Sequence, residues 1–215
     1  MRGLKRGDEL LKDRYISRRI DIVRKILIGE LMRINKGESR KQPKILDIGC
    51  GSGQFLRLAE ELGFECYGID VSEAAIAEAA KVTKAKLIRK DIQEGSEFPD
   101  EYFDVCLCLE VLEHLRRVVD VLCEINRILK PDGLLIISTP NANSLQRIIS
   151  PSKNSCVNDP QHLLLFTPFT LSFLISRLGF KIEKCETYFV TLPFLNILKM
   201  LNLGGTILLI TRKQM

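Results

Sequence analysis

A run of closely spaced glycines behind a short apolar segment is the feature that most restricts how this chain can fold. Lys44 to Ile48 is mostly apolar, glycines stand at positions 49, 51 and 53, and an amphipathic stretch from Gln54 to Leu62 follows. This pattern predicts a buried strand that leads through a tight turn into a helix. Glycine permits positive φ angles and close approach of a ligand, and the helix N-terminus attracts a carboxylate or a phosphate. We therefore expect a ligand site at this turn.

The alternation of strand and helix continues along the chain. Further strands are predicted at Phe64 to Ile69, Lys86 to Ile88, Phe103 to Leu109 and Leu134 to Ser138. Helices are predicted at Ser72 to Ala80, with Ser72 as the cap, and at Arg117 to Leu129. The central strands are continuous apolar runs, as burial on both faces of a parallel sheet requires. The sequence thus predicts an α/β fold with helices on both faces.

The C-terminal part departs from this alternation. A helix from Thr170 to Leu178 is predicted before two strands, Phe180 to Val190 and Thr206 to Thr211. The loop between these strands has little room for a crossover helix, so the pair should be antiparallel. Asn141 to Gln161 is the longest irregular stretch, and we expect a flap at about residues 141–168 to cover the active site.

The N-terminal part is basic. Apolar residues at three- and four-residue steps predict an amphipathic helix from about Asp8 to Arg33, ended by a polar break. Residues 1–44 contain 14 basic and 6 acidic residues, whereas the remainder contains 18 and 21. This asymmetry indicates either an anionic partner, such as nucleic acid or a lipid surface, or a solvated helix face. We expect a cap of residues 1–43 on a ligand-binding domain of residues 44–215.

The cysteines and the apolar segments bear on location. Seven cysteines are too few for a disulfide scaffold, and Cys50, Cys66, Cys106, Cys108 and Cys123 lie in apolar segments, which predicts reduced, buried thiols in a cytoplasmic protein. The chain start lacks the apolar core of a signal peptide.

The most apolar segment, Thr187 to Thr211, is interrupted by Pro193 and by the pair Gly204–Gly205. It therefore does not provide the ~20 uninterrupted residues of a membrane span. Its part from Phe189 to Leu203 would suit a hydrophobic substrate, peripheral contact with a membrane, a dimer face or the core.

The glycine spacing distinguishes between nucleotide ligands. A dinucleotide fingerprint would place its third glycine at position 54, which is Gln54. Asp70 ends the second strand, where a carboxylate can accept both hydroxyls of a ribose; the alternative is a charge at the start of the next helix. Asp91 follows the third strand and could accept from an adenine amine while Ile92 packs on the ring, unless it is a solvated loop acid.

Four motifs occur in order along the chain. They are Ile45-Leu-Asp-Ile-Gly-Cys-Gly-Ser-Gly53, Gly68-Ile-Asp-Val-Ser72, Phe103-Asp-Val-Cys-Leu-Cys-Leu-Glu-Val-Leu-Glu-His114 and Leu129-Lys-Pro-Asp-Gly-Leu-Leu-Ile-Ile-Ser-Thr-Pro-Asn141. Together, over roughly residues 40 to 215, they resemble the class I S-adenosylmethionine-dependent methyltransferases. A later pattern, His162, Phe166-Thr-Pro168 and Leu178-Gly-Phe180, is similar to the branch that contains ubiquinone-biosynthesis O-methyltransferases.

This resemblance implies a Rossmann-like sheet of seven strands in the order 3-2-1-4-5-7-6, with the last strand antiparallel. It implies S-adenosylmethionine as cofactor, with S-adenosylhomocysteine as product. The glycines would wrap its methionine part, and Asp47 would tether the glycine loop and the cofactor's amino group. Tyr15 and Arg19 of the first helix would reach it, unless Tyr15, which lies on the apolar stripe, packs in the core. The full set of expected cofactor residues is Asp47, Gly49, Cys50, Gly51, Gly53, Asp70, Val71, Asp91, Ile92 and Leu109.

Methyl transfer requires alignment and, for an alcohol or phenol, removal of a proton. The chain has only two histidines, His114 and His162, and these two and Glu110 are the candidate general bases. Glu113 is an alternative, unless it is the first charge of a helix, and either histidine could be structural instead. No acidic trio at a suitable spacing predicts a metal.

The sequence says less about the methyl acceptor. The motif Asn-Pro-Pro-Tyr of amino-group methylation is absent, which favours an oxygen or carbon acceptor on a small molecule or a lipid-linked intermediate. Two alternatives remain: a catalytically silent module that acts through a protein or RNA partner, and a nicotinamide dehydrogenase, which Gln54 disfavours.

Overall fold

Seven strands form the centre of the molecule. The computed structural model describes residues 2–35, 42–149, 159–188 and 202–214, with side chains from Ser17 onward and without that of residue 146. The strands are β1 (Lys44–Ile48), β2 (Glu65–Asp70), β3 (Lys86–Arg89), β4 (Phe103–Leu109), β5 (Leu129–Pro140), β6 (Phe180–Tyr188) and β7 (Thr206–Lys213).

The sheet has the predicted topology. Its order is β3-β2-β1-β4-β5-β7-β6, with β1 to β5 mutually parallel and β7 antiparallel to both β5 and β6. The expected Rossmann-like architecture is therefore confirmed. Because the parallel strands all end at one edge, residues that follow β1, β2, β4 and β5 are brought together there.

Helices flank the sheet. They are α1 (Arg2–Ile34), α2 (Gln54–Glu61), α3 (Glu73–Val82), α4 (Val118–Ile128), α5 (Leu145–Ile149) and α6 (Pro168–Arg177). Ser72 caps α3 as expected, by accepting from the N–H of Ala75. Helix α6 begins two residues earlier than predicted, because Thr167 and Thr170 form a capping box there. The stretch predicted to be irregular contains α5, while residues 150–158 of the expected flap lie outside the described residues.

Both sheet faces are buried, and successive strand residues serve opposite faces. Leu46 and Ile48 of β1 belong to the apolar cluster beneath α4 and α6, whereas Ile45 belongs to the cluster beneath α1 and α2. The predicted amphipathic helix packs through Val23 and Leu27, which are 2% and 0% exposed. The second half of α1 thus lies on the sheet, and the expected domain division at residue 43 stays a prediction.

The thiols largely follow expectation. Cys50, Cys66, Cys106 and Cys108 are buried, and all six described cysteines are free. Burial raises the pKa of Cys50 and of Cys66 to about 12, which keeps both thiols protonated and unreactive. The prediction for Cys123 is wrong, because this residue is exposed. It lies on the outer face of α4, whereas Leu122 and Ile125 of the same helix face inward. None of the helices in the described ranges combines the length and apolarity needed to cross a membrane.

Candidate active site

The glycine loop joins β1 to α2 at the carboxyl edge of the sheet. Gly49, Gly51 and Gly53 all have positive φ angles, of 70°, 52° and 77°. A Cβ on Gly49 would lie 2.5 Å from Cγ2 of Val111, so the wall beyond β4 leaves room only for glycine. At Gly51, by contrast, an added Cβ meets no described atom within 4 Å. The loop is therefore crowded at Gly49, next to Val111, and open at Gly51.

The second strand holds this loop in place. The N–H of Gly49 donates to the carbonyl of Ile69 at 2.8 Å, and the N–H of Gly51 donates to Oδ2 of Asp70 at 2.9 Å. Oδ1 of Asp70 accepts from the N–H of Ser72 at 2.8 Å. Asp70, at the end of the adjacent strand, thus holds the loop, and the expectation that Asp47 tethers it as well stays a prediction. Each Asp70 oxygen keeps a lone pair for a further donor.

A cleft of about 430 Å³ opens beside the loop. Five predicted cofactor residues line it, namely Gly49, Asp70, Val71, Asp91 and Ile92. The candidate bases Glu110 and His114 line it as well, together with Lys90 and Gln161, which the sequence did not single out. The other five predicted residues, Asp47, Cys50, Gly51, Gly53 and Leu109, do not line the cleft. Cys50 turns its thiol towards Gly68 in the core, so that only its main chain belongs to the loop.

Asp91 has a structural task as well as a place in the cleft. Its Oδ1 accepts from the N–H of Gln93 at 2.9 Å and so caps a short 3₁₀ turn, Ile92–Glu94. The side-chain oxygen of Gln93 in turn accepts from the N–H groups of Arg116 and Arg117. This wall of the cleft is therefore rigid, and Ile92, 6% exposed, forms its apolar part.

Asp47 lies behind the loop in an unusual environment. It is 2% exposed, and its Oδ2 has no hydrogen-bond partner among the described residues. Burial raises the pKa of Asp47 to about 7; Arg19 lowers it and Asp70 raises it further. The guanidinium of Arg19 donates to Oγ of Ser138 at 3.2 Å and lies 5.5 Å from the ring centre of Phe55. Arg19 thus lies beside Ser138, and its expected contact with a cofactor stays a prediction; Tyr15 lies outside the described side chains.

Two glutamates follow β4. Glu110 has a φ angle of 58°, and its Oε1 accepts from Oγ of Ser138 at 2.8 Å. Glu113 is 1% exposed; its Oε2 accepts from Oγ1 of Thr139 at 2.9 Å, and its Oε1 has no partner among the described residues. Burial, and then the charge of Glu110, raise the pKa of Glu113 to about 8. No signal in the sequence distinguishes Ser138 or Thr139, although both lie in the motif from Leu129 to Asn141.

The two histidines are neighbours. Their ring centres lie 5.0 Å apart, and Nδ1 of His114 donates to the carbonyl of Gln161 at 3.0 Å. Because a carbonyl can only accept, neutral His114 carries its proton on Nδ1 and presents Nε2 as a base. His162 lies 3.8 Å from a carboxylate oxygen of Asp159.

The same corner has the composition of a metal site. One ligating atom each from Glu113, His114 and His162 lies within 4.8 Å of the others, a mixed set of the kind that transition metals use. Because a possible ligand set is present, the expectation that no metal is used stays a prediction.

Comparison with known proteins decides the family. A family model described as a methyltransferase domain matches residues 18–184. The chain belongs to this methyltransferase family. The resemblance to class I S-adenosylmethionine-dependent methyltransferases is thereby confirmed.

Three relatives illustrate what this methyltransferase domain is similar to. A probable S-adenosylmethionine-dependent methyltransferase of Mycolicibacterium smegmatis is 30% identical over 65% of this chain and 52% of its own length. The mitochondrial ubiquinone biosynthesis O-methyltransferase of Schizosaccharomyces pombe is 35% identical over 58% of this chain and 46% of its own. A crystal structure of a SAM-dependent methyltransferase from Archaeoglobus fulgidus superimposes with a TM-score of 0.65 at 25% identity, covering 88% of this chain and 94% of that one. The chain spans about half the length of the curated relatives it matches.

Proposed function

We propose that this chain binds S-adenosylmethionine in the cleft and transfers its methyl group to an acceptor. The observation that carries the proposal is the acidic lining of the cleft beside the glycine loop, formed by Asp70, Asp91 and Glu110. Behind the loop, Oδ2 of Asp47 is buried with no partner among the described residues. A buried carboxylate without a partner is costly, so a cationic ligand that supplies the partner is favoured. S-adenosylmethionine carries both an ammonium and a sulfonium, and when bound it supplies an electrophilic methyl group.

The residues suit the parts of this donor. Asp70 would accept from the ribose hydroxyls with the lone pairs that its two backbone contacts leave. Asp91 and Ile92 would hold the adenine, the acid as acceptor and the apolar side chain as a flat wall. Asp47 and Glu110 would balance the positive charge of the amino-acid part. The comparisons give no support to the alternative of a catalytically silent binding module.

We further propose an oxygen acceptor on a small or lipid-linked molecule. An acceptor hydroxyl must lose its proton, and His114 lines the cleft with Nε2 as the basic nitrogen. The relative of Schizosaccharomyces pombe is named as an O-methyltransferase, which supports the same acceptor atom. His162, whose ring contacts that of His114, would tune or share this role.

Isothermal titration calorimetry with S-adenosylhomocysteine and with NAD tests donor binding. We expect S-adenosylhomocysteine to bind and NAD not to bind. Asp70→Ala should weaken binding by about tenfold or more, because it removes a charged hydrogen-bond acceptor. Asp100→Ala, which changes an exposed acid away from the cleft, is the matched control. Binding of NAD without binding of S-adenosylhomocysteine would overturn the proposal.

A labelled-methyl assay over phenols, alcohols and amines tests the acceptor class. We expect label on phenolic or alcoholic oxygen, and we expect His114→Ala to lower turnover at least tenfold while affinity for S-adenosylhomocysteine stays within about twofold. Label on nitrogen alone would contradict an oxygen acceptor and leave donor binding intact.

We also propose that α1 acts as the cap and residues 141–168 as the flap. Arg19 connects α1 to the site, and the N–H groups of Leu163 and Leu164 donate to the carbonyl of Glu113, which ties the described end of the flap to the cleft wall. The roles of the basic arm towards nucleic acid or membranes, a dimeric state and the cytoplasmic location stay predictions. A titration of labelled RNA against salt checks the first of these, since phosphate contacts give a steep salt dependence.

A further inference from the structure

Ser138 occupies a junction between three elements. It lies near the end of β5, in register with Leu109 of β4, and it is 1% exposed. Its side chain is on the α1 face of the sheet, where it meets Arg19, whereas that of Thr139 is on the opposite face and meets Glu113. Ser138 is thus the point where the first helix, the fifth strand and the segment after β4 come into contact.

Ser138 contacts Glu110 twice. The N–H of Glu110 donates to the carbonyl of Ser138 at 2.8 Å, and Oγ of Ser138 donates to Oε1 of Glu110 at 2.8 Å. The same Oγ accepts from the guanidinium of Arg19 at 3.2 Å. One hydroxyl therefore uses its donor on a carboxylate and an acceptor lone pair on a cation, and so links these two charges.

Glu110 requires such support because of its backbone. Its φ angle of 58° lies in the left-handed region, which is unfavourable for a residue other than glycine because its Cβ approaches the neighbouring carbonyl oxygen. Such a conformation persists only where the surroundings fix it. The conformation matters for the cleft, because Glu110 lines it and the next residue, Val111, packs against Gly49 of the glycine loop.

We propose that Ser138 is a positioning residue of the candidate site, which holds Glu110 in its left-handed conformation towards the cleft and couples that carboxylate to Arg19. This inference rests on the proposed function, because it assigns Glu110 to the binding of the cationic donor. It also gives Glu110 and His114, which are both candidate bases, different roles. The Glu110 carboxylate accepts from a hydroxyl that itself accepts from a guanidinium, so it is placed to bind a cation rather than to act as the base.

A double-mutant cycle tests this proposal, with binding of S-adenosylhomocysteine as the readout. Ser138→Ala and Glu110→Gln should each weaken binding about tenfold, because the first removes the donor to the carboxylate and the second removes the carboxylate's charge. If Ser138 acts through Glu110, the double variant should bind within about twofold of Glu110→Gln alone. A purely structural role of Ser138 would instead give multiplied losses, about a hundredfold together, and would overturn the proposal.

Thr211→Val is the matched control, since it removes a buried hydroxyl from the same sheet that has no partner among the described residues. It should bind as the wild-type chain does. Should Ser138→Ala not fold, Ser138→Cys, with a weaker donor of similar size, replaces it in the cycle with the same outcomes. Absence of binding by the wild-type chain would refute the proposed function, whereas binding with multiplied losses would refute only the role of Ser138.

Discussion

The two edges of the sheet treat buried acids in opposite ways. At the amino edge, Glu30 of α1 is 3% exposed, and its carboxylate accepts from Arg212 at 2.6 Å and from Arg33 at 2.7 Å. Burial alone would raise the pKa of Glu30, but the hydrogen bonds from Arg212 and Arg33 outweigh it and hold that pKa below its ordinary value. At the carboxyl edge, Asp47 is equally buried, and one of its oxygens has no partner among the described residues.

This difference in pairing distinguishes a buried acid that stabilises the fold from buried acids that are available to a ligand. The acid at the amino edge is fully paired, so its charge serves to fix α1 against the sheet. The acids at the carboxyl edge, Asp47 and Glu113, each have one oxygen without a partner in the described part of the chain, and their pKa values are raised to about 7 and about 8. Such sites lower stability and persist where a ligand uses them. Unpaired burial thus marks the edge where the proposed donor binds.

The largest expected effect is at the paired acid. Arg212→Ala should lower the free energy of unfolding by about 3–5 kcal/mol, because it leaves the carboxylate of Glu30 buried without its main partner. Urea denaturation measures this loss. Arg24→Ala is the control: its ion pair with Glu61 spans 3.5 Å between half-exposed side chains, so it should cost less than about 1 kcal/mol. Equal losses in the two variants would contradict a structural role for the buried pair.

Asp47→Asn should act in the opposite direction. Because the pKa of Asp47 rises from 3.8 to about 7 on folding, the folded chain holds a proton between these values that the unfolded chain has lost. Stability therefore falls as pH rises through this window, by about 4 kcal/mol in total. The variant removes this loss, so it should equal the wild-type chain at pH 4 and be more stable at pH 8.

Ligand binding by Asp47→Asn tests the same carboxylate in a second way. At pH 8, Asp47→Asn should bind S-adenosylhomocysteine less tightly, since the variant has no carboxylate for the ligand's ammonium. Asp104→Asn is the control, because Asp104 accepts from the N–H of Lys44 and from Lys130 and should lose stability when neutralised. A variant at Asp47 that is destabilised at pH 8 would show that its carboxylate is paired after all.

The features of the fold and of the site that could be predicted from the sequence are those that local patterns encode. The glycine loop and Asp70 follow from short runs whose spacing and apolarity are readable along the chain, and the strand order follows from the family resemblance that these runs carry. The contacts of Ser138 and Thr139 with the glutamates join residues 28 and 26 positions apart, and Glu30 lies 182 positions from Arg212. The pairing of β4 with β5 and the packing of α1 on the sheet bring these groups together, so no local motif could predict them. Cys123 was misplaced for a related reason, since apolar surroundings do not reveal the phase of a helix.

The smallest expected effect compares two buried threonines. Thr139 and Thr211 are both 0% exposed, but only Thr139 donates to a carboxylate, whereas Oγ1 of Thr211 has no partner among the described residues. Thr139→Val should lower the free energy of unfolding by about 1–3 kcal/mol, because it leaves both oxygens of Glu113 buried without a partner. Thr211→Val should be neutral or slightly stabilising, since valine matches its shape and removes only an unsatisfied hydroxyl. Thermal unfolding of the two variants side by side measures the difference. Equal losses would mean that hydroxyl burial itself, rather than support of the carboxylate, accounts for the cost at Thr139.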